Sequence, residues 1–78
     1  MIAYDLKDFK AARHLVECCE KFKEKFDTDI IFGRYTVDGC SILGVQSLVG
    51  HIVSVDPQTD NKDLVKDLTA MLRNSEKR

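Results

Sequence analysis

The feature that most constrains this chain is a stripe of apolar residues between Phe9 and about Lys25. Ala12, Leu15, Val16, Cys19, Phe22 and Phe26 recur in steps of three and four, the spacing that gathers side chains on one face of an α-helix. Lys10, Arg13, Glu17, Glu20, Lys21, Glu24 and Lys25 fall on the other face. A helix with one apolar stripe must bury it against a second layer, and the flanking sequence supplies that layer as short β-like runs. Met1–Leu6 alternates, with Ile2, Tyr4 and Leu6 on one side, as a strand with one wet face does. Asp8 stands where the helix N-cap belongs.

Thr28–Phe32 and Tyr35–Val37 read as the strands of a hairpin, because a glycine leading the two-residue loop Gly33-Arg34 suits a type II′ turn. Ser41–Val49 places Ile42, Val45, Leu48 and Val49 at helical spacing; Gly44 weakens this helix and Gly50 ends it. His51–Val55 is a further strand, terminated by Asp56-Pro57 because proline lacks a backbone donor. Thr59 or Asp60 caps a last helix with apolar positions Leu64, Val65, Leu68, Met71 and Leu72, and residues 73–78 are expected to fray. The order β-α-β-β-α-β-α, with one apolar stripe per helix, predicts an α+β fold: a four-stranded antiparallel sheet with three helices on one face. The 78 residues fit a single domain, 1–78. Its core must be thin, since a chain of this length buries only about 60–65% of its unfolded surface.

Twelve basic and thirteen acidic residues, for a net charge of −1, alternate instead of clustering. That leaves no electrostatic footprint for nucleic acid or an anionic membrane. No apolar run approaches the ~20 residues that span a bilayer, and the first residues do not pattern as a secretory signal, so a cytoplasmic protein is expected. Cys18, Cys19 and Cys40 are odd in number and lack framework spacing. Adjacent cysteines on a helix diverge by about 100°, so free thiols in a reducing compartment are expected. The cysteines and the two histidines show no C-x-x-C or H-x₃-H spacing, and no metal site is expected. There is no glycine-rich phosphate loop, catalytic triad arrangement or carboxylate pair in a recognisable context. No cofactor and no enzymatic activity are expected.

The segment Val37-Asp38-Gly39-Cys40-Ser41-Ile42-Leu43-Gly44-Val45-Gln46-Ser47-Leu48 resembles the central segment of the histidine-containing phosphocarrier (HPr) proteins of the bacterial sugar phosphotransferase system. In that family a strand leads into a serine, an aliphatic pair, a glycine, another aliphatic residue and a Ser-Leu pair. Phe26-Asp27-Thr28-Asp29-Ile30 is similar to the family's approach to its second strand, and Leu15-Val16 through Phe22 to the body of its first helix. The likeness covers about residues 10–72 and implies an HPr-like open-faced β-sandwich. The family sets its phosphoacceptor histidine just before the first helix, with an arginine and a proline following within three residues. Those places fall here to Asp8, Lys10 and Ala11, and the loops before Asp8 and between Leu48 and His51 are shorter than the family's.

A phosphohistidine carrier needs a neutral imidazole as nucleophile, helix N-terminal N–H groups and a cation. Asp8 reads as a plain N-cap, with an acyl phosphate on its carboxylate as the alternative, and Lys10 as a solvated first-turn residue. His14 lies inside the first helix near the surface, and phosphoryl transfer through it is a further alternative; His51 reads as a strand-edge or turn residue. Ser41 corresponds to the serine that many HPr proteins use for regulatory phosphorylation, and it also suits a structural N-cap. Ile42, Val45, Leu48 and Val49 are more than one face of a two-turn helix can bury, so part of them is expected to form a partner interface; a core helix is the competing reading. The expectation is a regulatory or protein-binding HPr paralogue with protein partners and without nucleic acid or membrane binding. Its alternatives are a phosphocarrier with a displaced acceptor, His14 or Asp8, and an unrelated α/β interaction module that shares only the pattern.

Overall fold

The computed structural model describes residues 1–74. Strand β1 (Ile2–Leu6) leads into helix α1 (Phe9–Phe22); β2 (Thr28–Phe32) and β3 (Tyr35–Asp38) follow, then α2 (Ile42–Gln46), β4 (His51–Pro57) and α3 (Lys62–Asn74). The four strands form one sheet in the order β1-β4-β2-β3, with every neighbouring pair antiparallel. The chain is α+β. Helix α1 carries it from β1 to β2 across a gap that β4 later fills, which interleaves the two halves of the sequence in one sheet.

Alternation along the strands creates the core. Tyr4 lies opposite Val53, and Ile30 lies opposite both Val55 and Val37. Tyr4, Leu6, Ile30, Val53 and Val55 are buried. The α1 stripe covers this face, with Ala12, Leu15, Val16, Cys19 and Phe22 buried as the helical spacing predicts; the helix ends at Phe22 instead of near Lys25, because the Lys23 N–H turns back to the Glu20 carbonyl, and Phe26 is buried from the turn that follows. The Phe22 and Phe26 rings stack with centroids 5.4 Å apart, and α3 adds Leu68 and Leu72. On the opposite face of the sheet Ala3, Asp5 and Ile52 are exposed, with no described helix covering them.

Several boundaries differ from expectation, each for a local reason. Strand β4 runs on to Pro57 instead of stopping at Val55. The Gln58 N–H donates to the Asp27 carbonyl at 2.8 Å, which makes Thr28 and Pro57 a non-hydrogen-bonded pair. The missing proline N–H therefore faces away from β2, on the side where pairing with β1 has ended at Ile2 and Val55. Helix α3 is capped by neither Thr59 nor Asp60. Asn61 does it: its Oδ1 accepts from the N–H groups of Asp63 (3.0 Å) and Leu64 (3.3 Å), while Thr59 Oγ1 accepts from the Asn61 N–H. Arg73 and Asn74 are still helical; the remainder of the tail expected to fray, residues 75–78, lies outside the described residues. Gly33 has φ +59 while Arg34 keeps a negative φ, the signs of the expected type II′ turn.

The open face holds one electrostatic conflict. Asp29 pairs in register with Asp38 on one side and Asp56 on the other, so three carboxylates form a row. Like charges directly opposite each other destabilise a sheet. Asp29→Lys converts both repulsions into attractions and is expected to raise stability by about 0.5–1 kcal/mol, read as a higher urea midpoint. An unchanged or lower midpoint would mean that the row carries no significant repulsion.

Candidate functional site

The start of α1 is built around Asp8. Its backbone is extended (φ −155°, ψ 178°), and its Oδ1 accepts from the Ala11 N–H at 2.8 Å. Asp8 is thus the N-cap, as its place in the sequence predicts. The other backbone group of Ala11 is engaged as well, because its carbonyl accepts from the buried Tyr4 hydroxyl at 3.2 Å. Lys10 is exposed.

His14 is half-buried. Its Nε2 lies 2.9 Å from the Met71 carbonyl and 3.6 Å from Cys18 Sγ. A carbonyl only accepts, so Nε2 carries the proton and donates to the last turn of α3. The imidazole binds α1 to α3, leaving Nδ1 as its remaining ring nitrogen. His51 is exposed at the start of β4 and stacks on Phe32, with ring centroids 4.3 Å apart.

Ser41 is the N-cap of α2, its hydroxyl accepting from the Gly44 N–H at 3.4 Å, and the residue is exposed. Helix α2 lies so close to β3 that a Cβ on Gly44 would stand 3.2 Å from Val37 Cβ, which accounts for a glycine inside a helix. The four residues expected to share an interface are divided by burial. Val45 and Leu48 are buried in the core, Val49 packs against it, and Ile42 alone of the four is exposed. The correction follows from packing: Val45 and, just past the end of α2, Leu48 are taken into the core, which leaves Ile42 and Leu43 on the outside.

Two large side chains join Ile42 on the outside. Phe9 is 64% exposed and Leu43 78%. A shallow groove of about 480 Å³ runs between α1 and α2, lined by Phe9, Lys10, Arg13, Val16, Glu17, Glu20, Ile42 and Gln46. A second cavity of about 730 Å³ lies around the start of α1, where Asp8, Lys10, Ala11 and His14 meet Tyr4, Lys7 and Asn74. Sequence reasoning missed Phe9 and Leu43. Leu43 was findable, because two residues on a helix subtend about 200° and an inward Val45 sends Leu43 outward.

The thiols are chemically quiet. Burial pushes the Cys19 thiol up to about 12, with the neighbouring Cys40 and Cys18 thiols adding to the effect. Burial also raises Cys18, against the pull of Lys21, and Cys40, where the Asp38 carboxylate adds to it. The thiolate is the nucleophile and the metal ligand, so raised values disfavour both roles. Among the described residues no group of three or more His, Cys, Asp or Glu side chains is placed to hold a metal ion. No described helix is long and apolar enough to cross a membrane. Comparisons of the chain with protein-family models, with curated proteins and with solved structures found no match.

Proposed function

We propose that this chain is an HPr-like protein of the sugar phosphotransferase lineage that binds protein partners instead of carrying a phosphoryl group on histidine. The observation that carries this reading is the start of α1. The position at which the family has its phosphoacceptor is held by Asp8, whose carboxylate is spent on the Ala11 N–H at 2.8 Å. The binding surface is the α1–α2 face, where Phe9, Ile42 and Leu43 are exposed beside the charged side chains of α1. Exposed apolar side chains gathered beside a groove are the usual mark of an interface. Ser41 regulates the face: it is exposed and immediately precedes Ile42, and phosphorylation would place a charge close to −2 beside that apolar surface.

The test is phosphoryl transfer followed by intact mass. The protein is incubated with phosphoenolpyruvate and the general phosphotransferase of a bacterial sugar system, beside an authentic HPr. The expected result is that the control gains one phosphate and this chain gains none. Uptake of a phosphate would overturn the reading in favour of a displaced acceptor, and His14→Ala and Asp8→Ala would then show which residue took it. In a parallel incubation, an HPr-type serine kinase is expected to add one phosphate to the wild type and none to Ser41→Ala; no uptake by the wild type would remove the regulatory role.

A further inference from the structure

Four exposed charges of α1 that line the groove beside α2 are ordered by sign, while Lys21, also exposed in the last turn of the helix, is not among the residues that line it. Lys10, Arg13, Glu17 and Glu20 follow one another at steps of three, four and three along one line of the helix, and all four are exposed and border the groove beside α2. The two cations occupy the N-terminal half of α1 and the two carboxylates the C-terminal half. Lys10 and Glu20 are equidistant from the level of Leu15, and so are Arg13 and Glu17. A helix laid antiparallel on this line, with acidic residues opposite Lys10 and Arg13 and basic residues opposite Glu17 and Glu20, would match it. Helix α1 turned end for end is such a helix.

We infer that the α1–α2 face is self-complementary and takes a second copy of this chain. A two-fold axis crosses α1 near Leu15. It sets Lys10 against Glu20 of the second copy and Arg13 against Glu17, each pairing made twice, as an isologous interface requires. The apolar rim of the groove, Phe9 and Ile42, closes over the ends. The inference takes as given that this face is the binding surface and adds what the face selects. A partner protein must then displace the second copy in order to dock. Exposed ion pairs contribute little individually, so the dimer is weak, forms at high protein concentration and dissolves in salt.

The experiment is sedimentation equilibrium of the full chain over a range of concentrations at low salt. The expected mass rises from that of the 8.9 kDa chain toward twice that value, and returns to the single-chain value in 1 M salt, where charges are screened beyond about 3 Å. Arg13→Glu alone and Glu17→Arg alone each set like charges against each other and are expected to be monomeric. An equimolar mixture of the two variants restores both attractions and is expected to dimerise. Circular dichroism checks that each variant is folded, and both positions are exposed helix surface. A wild type that stays at single-chain mass at every concentration overturns the inference, as does a dimer that survives either reversal or a mixture that stays monomeric. None of these outcomes bears on the phosphoryl-transfer assay, which tests the lineage reading alone.

Discussion

Raising the pH from 9 toward 12 is expected to remove about 4 kcal/mol of stability through a single buried side chain, Cys19. Its thiol is 1% exposed, and its proton affinity rises from an ordinary value of 9.0 to about 12 in the folded chain. Burial is the main cause. A Cβ added to Gly39 would stand 2.7 Å from Cys19 Sγ and 3.0 Å from the Thr28 carbonyl, so the thiol is enclosed by backbone and water has no room to solvate a thiolate. Each tenfold in proton affinity is worth about 1.4 kcal/mol. The folded chain holds the Cys19 proton over a pH range in which the unfolded chain has lost it. The contribution is therefore fully present below pH 9 and disappears as the pH climbs through the folded value. Urea midpoints measured every half pH unit should fall across this window in the wild type. Cys19→Ala loses some packing at neutral pH but should show a shallower alkaline fall, and the difference between the two curves isolates the thiol. Parallel curves would show that Cys19 is better solvated than its enclosure implies.

What was legible in the sequence was periodicity. The stripe from Ala12 to Phe22 fixes a helix and its buried face, with Ala11 and Cys18 buried beside it and Phe26 buried from the turn that follows, and the alternation of Ile2, Tyr4 and Leu6 fixes a strand, in which Tyr4 and Leu6 are buried and Ile2 partly so. The strand order was not legible, because nothing in the local pattern of β4 says that it enters between β1 and β2. Boundaries shifted where a long-range partner decided them: Pro57 remains in β4 because its missing donor faces a side with no strand. The last helix began later than expected because Asn61 offers an oxygen that two N–H groups can share. At the candidate site, Asp8 was readable as a cap because capping depends on residues three apart. His14 was not, since its partner is a carbonyl 57 residues away. The interface was misjudged for a third reason. Counting apolar residues from Ile42 to Val49 says that some must be exposed but not which, and packing into the core takes Val45 and Leu48 while leaving Ile42 and Leu43.

The second large effect is expected at Leu68. Helix α3 has two fully buried side chains among its described residues, Leu68 at 0% and Leu72 at 1% exposure, and it is tied to α1 by the His14–Met71 hydrogen bond. Leu68→Ala leaves a cavity where α3 meets the core and should cost about 2–5 kcal/mol. That is a large share of the about 4–12 kcal/mol available to a domain of 78 residues. His14→Ala removes one hydrogen bond and should cost about 1 kcal/mol, and Leu64→Ala, at a half-buried position, should cost less than Leu68→Ala. Helix α3 packs on α1, and α1 presents the docking face, so loosening α3 removes the support on which that face depends. Urea unfolding of Leu68→Ala is therefore expected to remain a single transition with an unchanged slope and a lower midpoint. A cost below about 1 kcal/mol, or an early transition that melts only α3 while the sheet stays protected, would show α3 to be an appendage. In that case the α1–α2 face would keep its shape without α3, and binding at that face would survive removal of the last helix.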